Sequence, residues 1–172
     1  MYSYKKIQAV SIPIMFSLLA QNVIQITDTV LMGRVGELEF GATGLAGIYY
    51  ISFFMLAFGF GIGCQIIISQ RNGEQNYDKI GSIVIHGIAF LFVLAFVLFF
   101  VSRHIAQLFL PHVIKSQEVY LAAQEYLNWR TFGFFFSFIN VVFRAFYIGT
   151  TRTKVLTLNA GIMAIVNFIA AY

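Results

Sequence analysis

Residues 82–109 read SIVIHGIAFLFVLAFVLFFVSRHIAQLF. About 20 mostly apolar residues wound as an α-helix cross the roughly 30 Å of hydrocarbon in a bilayer, and this run exceeds that length. Four further stretches approach or exceed it, at 7–33, 43–69, 131–150 and 155–172. All five are expected to be helices. Lipid cannot satisfy exposed backbone N–H and C=O groups, and a closed barrel needs short strands alternating apolar and polar residues, a pattern this sequence lacks. The expected fold class is therefore all-α, a polytopic transmembrane helical bundle.

Composition agrees. The 172 residues are 59% hydrophobic, 17% aromatic and only 10% charged, with a mean hydropathy of +0.81. Too few polar side chains exist to coat a water-soluble globule. The net charge of +4 does not point to nucleic acid, because the basic residues form no stripe or cluster and fall between the apolar spans. Topology explains them: Lys5, Lys6, Arg71, Lys79, Arg152 and Lys154 lie in alternate connections, with Arg144 near the same side, while Arg34, Arg103, Lys115 and Arg130 take the other. That bias places the N-terminus in the cytoplasm. Trp129 and Tyr126 beside Arg130 suit an outer interfacial belt. The basic residues ahead of Ala9–Ala20 resemble a signal peptide, yet no small-residue cleavage site follows and apolarity resumes to Gly33. The single cysteine, Cys64, excludes an internal disulfide and offers no metal-ligand spacing.

The connections are short, so residues 1–172 are read as a single transmembrane domain. Gln70–Asp78, QRNGEQNYD, is the most polar stretch and is expected to be a solvated loop. Residues 111–130 mix apolar and charged side chains in a way that suits a short amphipathic piece lying in the outer interface. The fifth span stops at Tyr172 with no polar tail, so the chain reads as cut at its C-terminus.

Soluble-enzyme constellations are absent: His86, His104 and His112 share no helix face with carboxylates, and no Walker-type loop, CxxC or GxSxG string occurs. Gly59, Gly61 and Gly63 lie inside an apolar span with no strand before them, so close helix packing is expected there rather than a nucleotide. Gly59 and Gly63, four apart, are the expected contacts, with Gly41, Gly44 and Gly47 extending the theme. No cofactor or metal is implied.

Asp28 stands apart as an acidic residue inside a span. An uncompensated charge at the bilayer centre costs at least about 2.5 to 3.5 kcal/mol, so it should face protein or a water-filled cavity. Ser17, Gln21, Gln25 and Asp28 fall within an arc of about 80° at 100° per residue, one polar stripe on an apolar helix. The competing reading is that Asp28 reaches interfacial water near the end of its span. In a cavity, desolvation penalises the charged carboxylate, so its state follows proton or cation occupancy, which an ion-coupled carrier requires. Pro13, fifteen residues earlier, removes a helix hydrogen bond and permits a bend. Ser137, Asn140 and Arg144 form a second stripe; Asn140 is read either as cavity-lining or as an interhelical hydrogen bond, and Arg144 as snorkelling to the cytoplasmic surface. Asn159 and Asn167 in the fifth span are open in the same way.

Together these residues resemble the MATE (multidrug and toxic compound extrusion) transporters. Pro13 to Asp28, running into DTVLMGRVGE with GATGLAG behind it, looks like the opening of that family, where a proline precedes an acidic ion-coupling residue by the same interval. ISQRNGEQNYDKIG resembles its Gln-x-x-Gly loop, matched at Gln70 and Gly73, and NVVFRAFYIGTTRTK its fourth-helix exit, matched at Asn140, Arg144, Gly149, Thr153 and Lys154. Arg152 departs from the Asp or Asn often found there. Asn167 matches the Asn of a fifth-helix ion site, but Ala171 stands where an Asp often follows.

The resemblance implies the N-terminal part of a twelve-helix, two-lobe fold in the bacterial inner (plasma) membrane. It further implies proton- or sodium-coupled antiport of organic, often cationic, compounds by alternating access, with Asp28 and Asn167 as ion-coupling residues. Its partners would be small organic substrates, membrane lipid and a missing C-terminal lobe. The fragment alone is expected not to transport. Rival readings are an oligosaccharide or lipid-linked flippase of related design, which often carries more cavity cations, and a non-transporting membrane scaffold or small membrane enzyme.

Overall fold

The computed structural model describes residues 4–170, so Ala171 and Tyr172 lie outside the described residues. Six helices follow one another: α1 (Tyr4–Val35), α2 (Glu37–Gly73), α3 (Tyr77–Val113), α4 (Gln117–Arg130), α5 (Gly133–Gly149) and α6 (Lys154–Ala170). Among the described residues there is no strand. Helices α1, α2 and α3 are each long and apolar enough to cross a membrane, and α4 with α5, bent by 51°, passes as a fourth span; α6 is a shorter apolar helix. The protein is an all-α transmembrane bundle. Side chains such as Phe136 and Leu108 are 80% and 71% exposed, which suits lipid rather than water.

Register gives the directions. Along α2 and α5 the contacts Tyr50–Phe134, Phe54–Phe138, Gly61–Val141 and Ile68–Gly149 advance together, so these helices run parallel. Along α2 and α3 the pairs Tyr49–Ser102, Phe60–Phe90 and Cys64–Gly87 run in opposite order. Pro13–Thr157 and Asp28–Asn167 make α1 and α6 parallel. Counting α4–α5 as one bent span, successive spans alternate in direction, and Lys5, Arg71, Lys79, Arg152 and Lys154 gather at one end of the bundle.

The core lies between α2, α3 and α5, with Phe134, Phe138 and Leu91 fully buried. Lipid is as apolar as these side chains, so shape complementarity rather than water exclusion holds such helices together. Glycines matter where backbones approach. A Cβ on Gly61 would collide with Val141 Cγ1, and one on Gly149 would sit 2.6 Å from Ile68 Cγ2 and 3.2 Å from the Gln65 carbonyl oxygen. The expected contacts at Gly59, Gly63, Gly41, Gly44 and Gly47 are not made: nothing among the described residues lies within 4 Å of a Cβ there. Helix period is the reason, since Gly61 lies about 200° round the helix from Gly59 and from Gly63.

Two sequence expectations change in the connections. The polar stretch at Gln70–Asp78 is not a loop throughout: α2 runs to Gly73, so Gln70 and Gly73 are helical and only Glu74–Asn76 connects. Asn76 N–H donates to the Arg71 carbonyl at 2.9 Å and Gln75 N–H to that of Asn72 at 3.2 Å, a Schellman closure with Gln75 left-handed at φ 58°. The end of α5 repeats it: Arg152 N–H donates to Tyr147 at 2.8 Å, Thr151 N–H to Ile148 at 3.0 Å, and Thr151 takes φ 60°.

The amphipathic piece at 111–130 also differs. Pro111 belongs to the last turn of α3, and a separate helix, α4, starts behind Ser116, whose Oγ accepts from Val119 N–H at 3.5 Å. Its buried residues Ala123 and Leu127 join the core against α2 instead of facing lipid. Arg103 crosses from α3 to the far end of this helix, donating from Nη2 to the Asn128 carbonyl at 2.6 Å, with its guanidinium 4.3 Å from the Phe99 ring centroid and 5.2 Å from that of Phe132. The same carbonyl accepts from Thr131 Oγ1 at 3.4 Å, and a cation there suits the negative end of the helix dipole.

Candidate functional site

Helices α1 and α6 stand beside this core; neither contributes to its buried apolar cluster. Polar groups join them. Asn167 Nδ2 donates to Asp28 Oδ1 at 3.0 Å, linking residues 139 apart in sequence. Farther toward the start of both helices, Thr157 Oγ1 donates to the Pro13 carbonyl at 3.0 Å.

Asp28 sits seven residues before the end of α1, about 10 Å along the axis. It is exposed on the surface of the described residues, and Asn167 is half-buried. Among the described residues the second oxygen, Oδ2, accepts no hydrogen bond, and Asn167 meets Oδ1 alone. The hydroxyls flanking it are already engaged in their own helix: Thr27 donates to the Val23 carbonyl at 2.9 Å and Thr29 to that of Gln25 at 2.8 Å. Hydroxyls so satisfied stay neutral bystanders, leaving Asn167 as the group aimed at Asp28.

The remainder of the α1 stripe is graded in burial. Ser17 is buried, at 4% exposure. Gln21, half-buried, donates from Nε2 to Ser17 Oγ at 3.5 Å, whereas Gln25 is exposed. The stripe therefore runs from buried at Ser17 to exposed at Asp28. Pro13 is half-buried, and α1 passes through it as one uninterrupted helix. Asn140 is not brought to this place: it is exposed on α5, a helix that packs on α2 and α3. Arg144 is half-buried on the same helix, and Asn159 donates to Met163 Sδ at 3.8 Å. Sequence reading missed Thr157 and Arg103. Nothing in a linear pattern marks either one, because each acts on a carbonyl supplied by another helix.

The structure thus pairs one carboxylate with one amide between two apolar helices, with a proline-bearing helix on one side.

A "Probable multidrug resistance protein NorM" from Idiomarina loihiensis (strain ATCC BAA-735 / DSM 15497 / L2-TR) is 28% identical over 85 residues, covering 49% of this chain and 18% of that protein. The match thus spans less than a fifth of its length. No solved structure matches the chain. The MatE family profile matches residues 13–172, and the chain belongs to that family.

Proposed function

We propose that this chain is part of a secondary active multidrug efflux transporter. It exports organic, often cationic, compounds by alternating access, driven by inward flow of protons or sodium ions. The hydrogen bond from Asn167 to Asp28 carries this reading. In the ion-free state Asn167 donates to one oxygen of the carboxylate; an arriving proton or cation takes up the other oxygen, alters what Asn167 can donate to, and shifts the preferred packing of α1 on α6. An ion that binds one arrangement better than the other moves the equilibrium by that difference in affinity.

Family membership and the relative's printed name support the substrate class. The gathering of basic residues at one end supports a cytoplasmic N-terminus in a bacterial inner membrane. A second lobe of the same protein would supply the opposing wall, since repeats rocking against each other are how such carriers alternate access.

The test is gradient-driven efflux by the native gene product in membrane vesicles, with Asp28→Asn as the variant. Loss of efflux at unchanged protein level is expected. Unaltered efflux would remove Asp28 from the coupling step.

A further inference from the structure

At the end of the bundle away from Lys5, Arg71 and Lys154, a groove of about 620 Å³ opens between the last turn of α1, the first turns of α2 and one face of α4. Its size falls within the roughly 300 to 1,000 Å³ of sites that take a small molecule. Helical spacing builds the walls. Met32 and Val35 are three apart on α1, and Glu125 and Trp129 four apart on α4, so each pair shares one face. Burial of Ala123 and Leu127 in the core fixes the rotation of α4 and sends Glu125 and Trp129 to its exposed side.

The groove holds charges of both signs. Glu39 and Glu125 reach it from different helices and Arg130 from the end of α4, yet among the described residues neither carboxylate has an ion pair or a hydrogen-bond donor. Gly36, the single residue between α1 and α2, leaves room for Glu39, since a Cβ there would collide with Glu39 Oε2. In the first turn of α2 this charge suits the helix dipole, which does not supply the missing donor. Arg130 lies over aromatic rings, its guanidinium carbon 5.0 Å from the Tyr50 centroid and 5.9 Å from that of Tyr126. A guanidinium held by its face keeps the N–H groups of its edge for an anion. Among the described residues no acceptor occupies them.

Position narrows the occupant. Trp129, 74% exposed, and Tyr126 suit the level where hydrocarbon gives way to headgroups. A ligand that fits carries an anion for Arg130, a positive group with N–H donors for two carboxylates, and hydrocarbon for Met32 and Val35. We infer that this groove binds a zwitterionic phospholipid with a primary ammonium, such as phosphatidylethanolamine, its phosphate at Arg130 and its ammonium between Glu39 and Glu125. A choline headgroup has no N–H to give, and Arg130 already lies over the Tyr126 ring it would need. A headgroup of net negative charge meets two uncompensated carboxylates. The inference is independent of the transport reading; only the leaflet, the outer one, follows from the orientation proposed above.

The experiment is native mass spectrometry of the native gene product in detergent, titrated with phosphatidylethanolamine, phosphatidylcholine or phosphatidylglycerol of the same acyl chains. The parent is expected to bind phosphatidylethanolamine roughly two- to tenfold more tightly than either other lipid, the scale of one or two partly exposed charge pairs. Glu39→Gln combined with Glu125→Gln should bring phosphatidylethanolamine and phosphatidylcholine to near parity, whereas Arg130→Gln should weaken both alike, since both carry the phosphate. A parent without the preference overturns the inference, as does a preference unchanged by loss of both carboxylates. Should the double variant fail to accumulate, Glu125→Gln alone carries the test: a preference reduced by half or more supports the site, and an unchanged one overturns it. Tetraphenylphosphonium supplies the remaining outcome. If the double variant weakens its binding while no lipid is preferred by the parent, the groove belongs to an organic cation and the lipid inference falls.

Discussion

Asn167 on α6 holds Oδ1 of Asp28 on α1 by a 3.0 Å hydrogen bond from its amide, and the two helices share no buried core with the rest of the bundle. The polar contact is therefore a principal tie at that end of the pair. Hydrogen bonds to charged groups contribute about 1.5 to 3 kcal/mol net, so breaking this one in favour of an ion is an event of functional size.

That size sets the first expectation. Asn167→Ala should slow gradient-driven efflux by roughly tenfold or more, on the same scale for a hydrogen bond to a charge. Combined with Asp28→Asn it should add little, because partners in one interaction are not independent. Initial efflux rates of the parent, two single variants and the double variant in the native gene product make the cycle. Losses that add would mean the two residues act separately.

The glycines sort by contact. Gly149→Ala places a Cβ 2.6 Å from Ile68 Cγ2 and close to the Gln65 carbonyl, so neither backbone can yield easily. We expect destabilisation of about 1 to 3 kcal/mol, as for overpacked cores. Gly61→Ala meets a valine methyl and should cost somewhat less, while Gly59→Ala and Gly63→Ala, with nothing within 4 Å, should be near neutral or slightly stabilising. Thermal unfolding midpoints in detergent distinguish the pairs; equal losses at all four positions would refute this packing of α2 on α5.

Arg103 ties α3 to the break between α4 and α5. Arg103→Met keeps the aliphatic stem but removes the bond to the Asn128 carbonyl and the stacking on Phe99 and Phe132, at an expected cost of about 1.5 to 3 kcal/mol. Arg103→Lys should recover little, because an ammonium cannot stack as a flat guanidinium does. Midpoints unchanged in both variants would show that the bend holds without this cap.

Thr151 adopts φ 60° at the Schellman closure of α5, a conformation in which a β-branched side chain crowds its own backbone. Thr151→Gly should raise stability by about 0.5 to 1 kcal/mol, since the penalty for an L-residue in this region is on the order of 1 to 2 kcal/mol and glycine's extra unfolded-state entropy offsets part of it. A lower unfolding midpoint in this variant would place the side chain in a stabilising contact.

Much of the bundle is legible before any coordinates. Hydropathy marks the spans because lipid admits only helices with internally satisfied backbones, and the charge bias orders their ends. Asp28 and Asn167 are legible as candidates, Asp28 because an acid in an apolar helix is costly and Asn167 through the family resemblance. Which face of each helix meets a neighbour is another matter. Gly59 and Gly63 have the small-residue spacing, yet Gly61 makes the contact; Gly73 has the turn residue, yet Gln75 takes the left-handed conformation.

The sequence by itself determined that the chain is a helical membrane bundle with one carboxylate on a proline-containing helix. Those properties follow from transfer free energies and backbone chemistry that belong to each residue separately. Only the tertiary structure decided that Asn167 meets Asp28, that Thr157 spends its hydroxyl on Pro13, and that Arg103 caps a helix 25 residues away. Such pairings depend on the rotation and crossing of helices, which are set by the sum of many small van der Waals contacts across α2, α3 and α5 and are written in no single stretch of the chain.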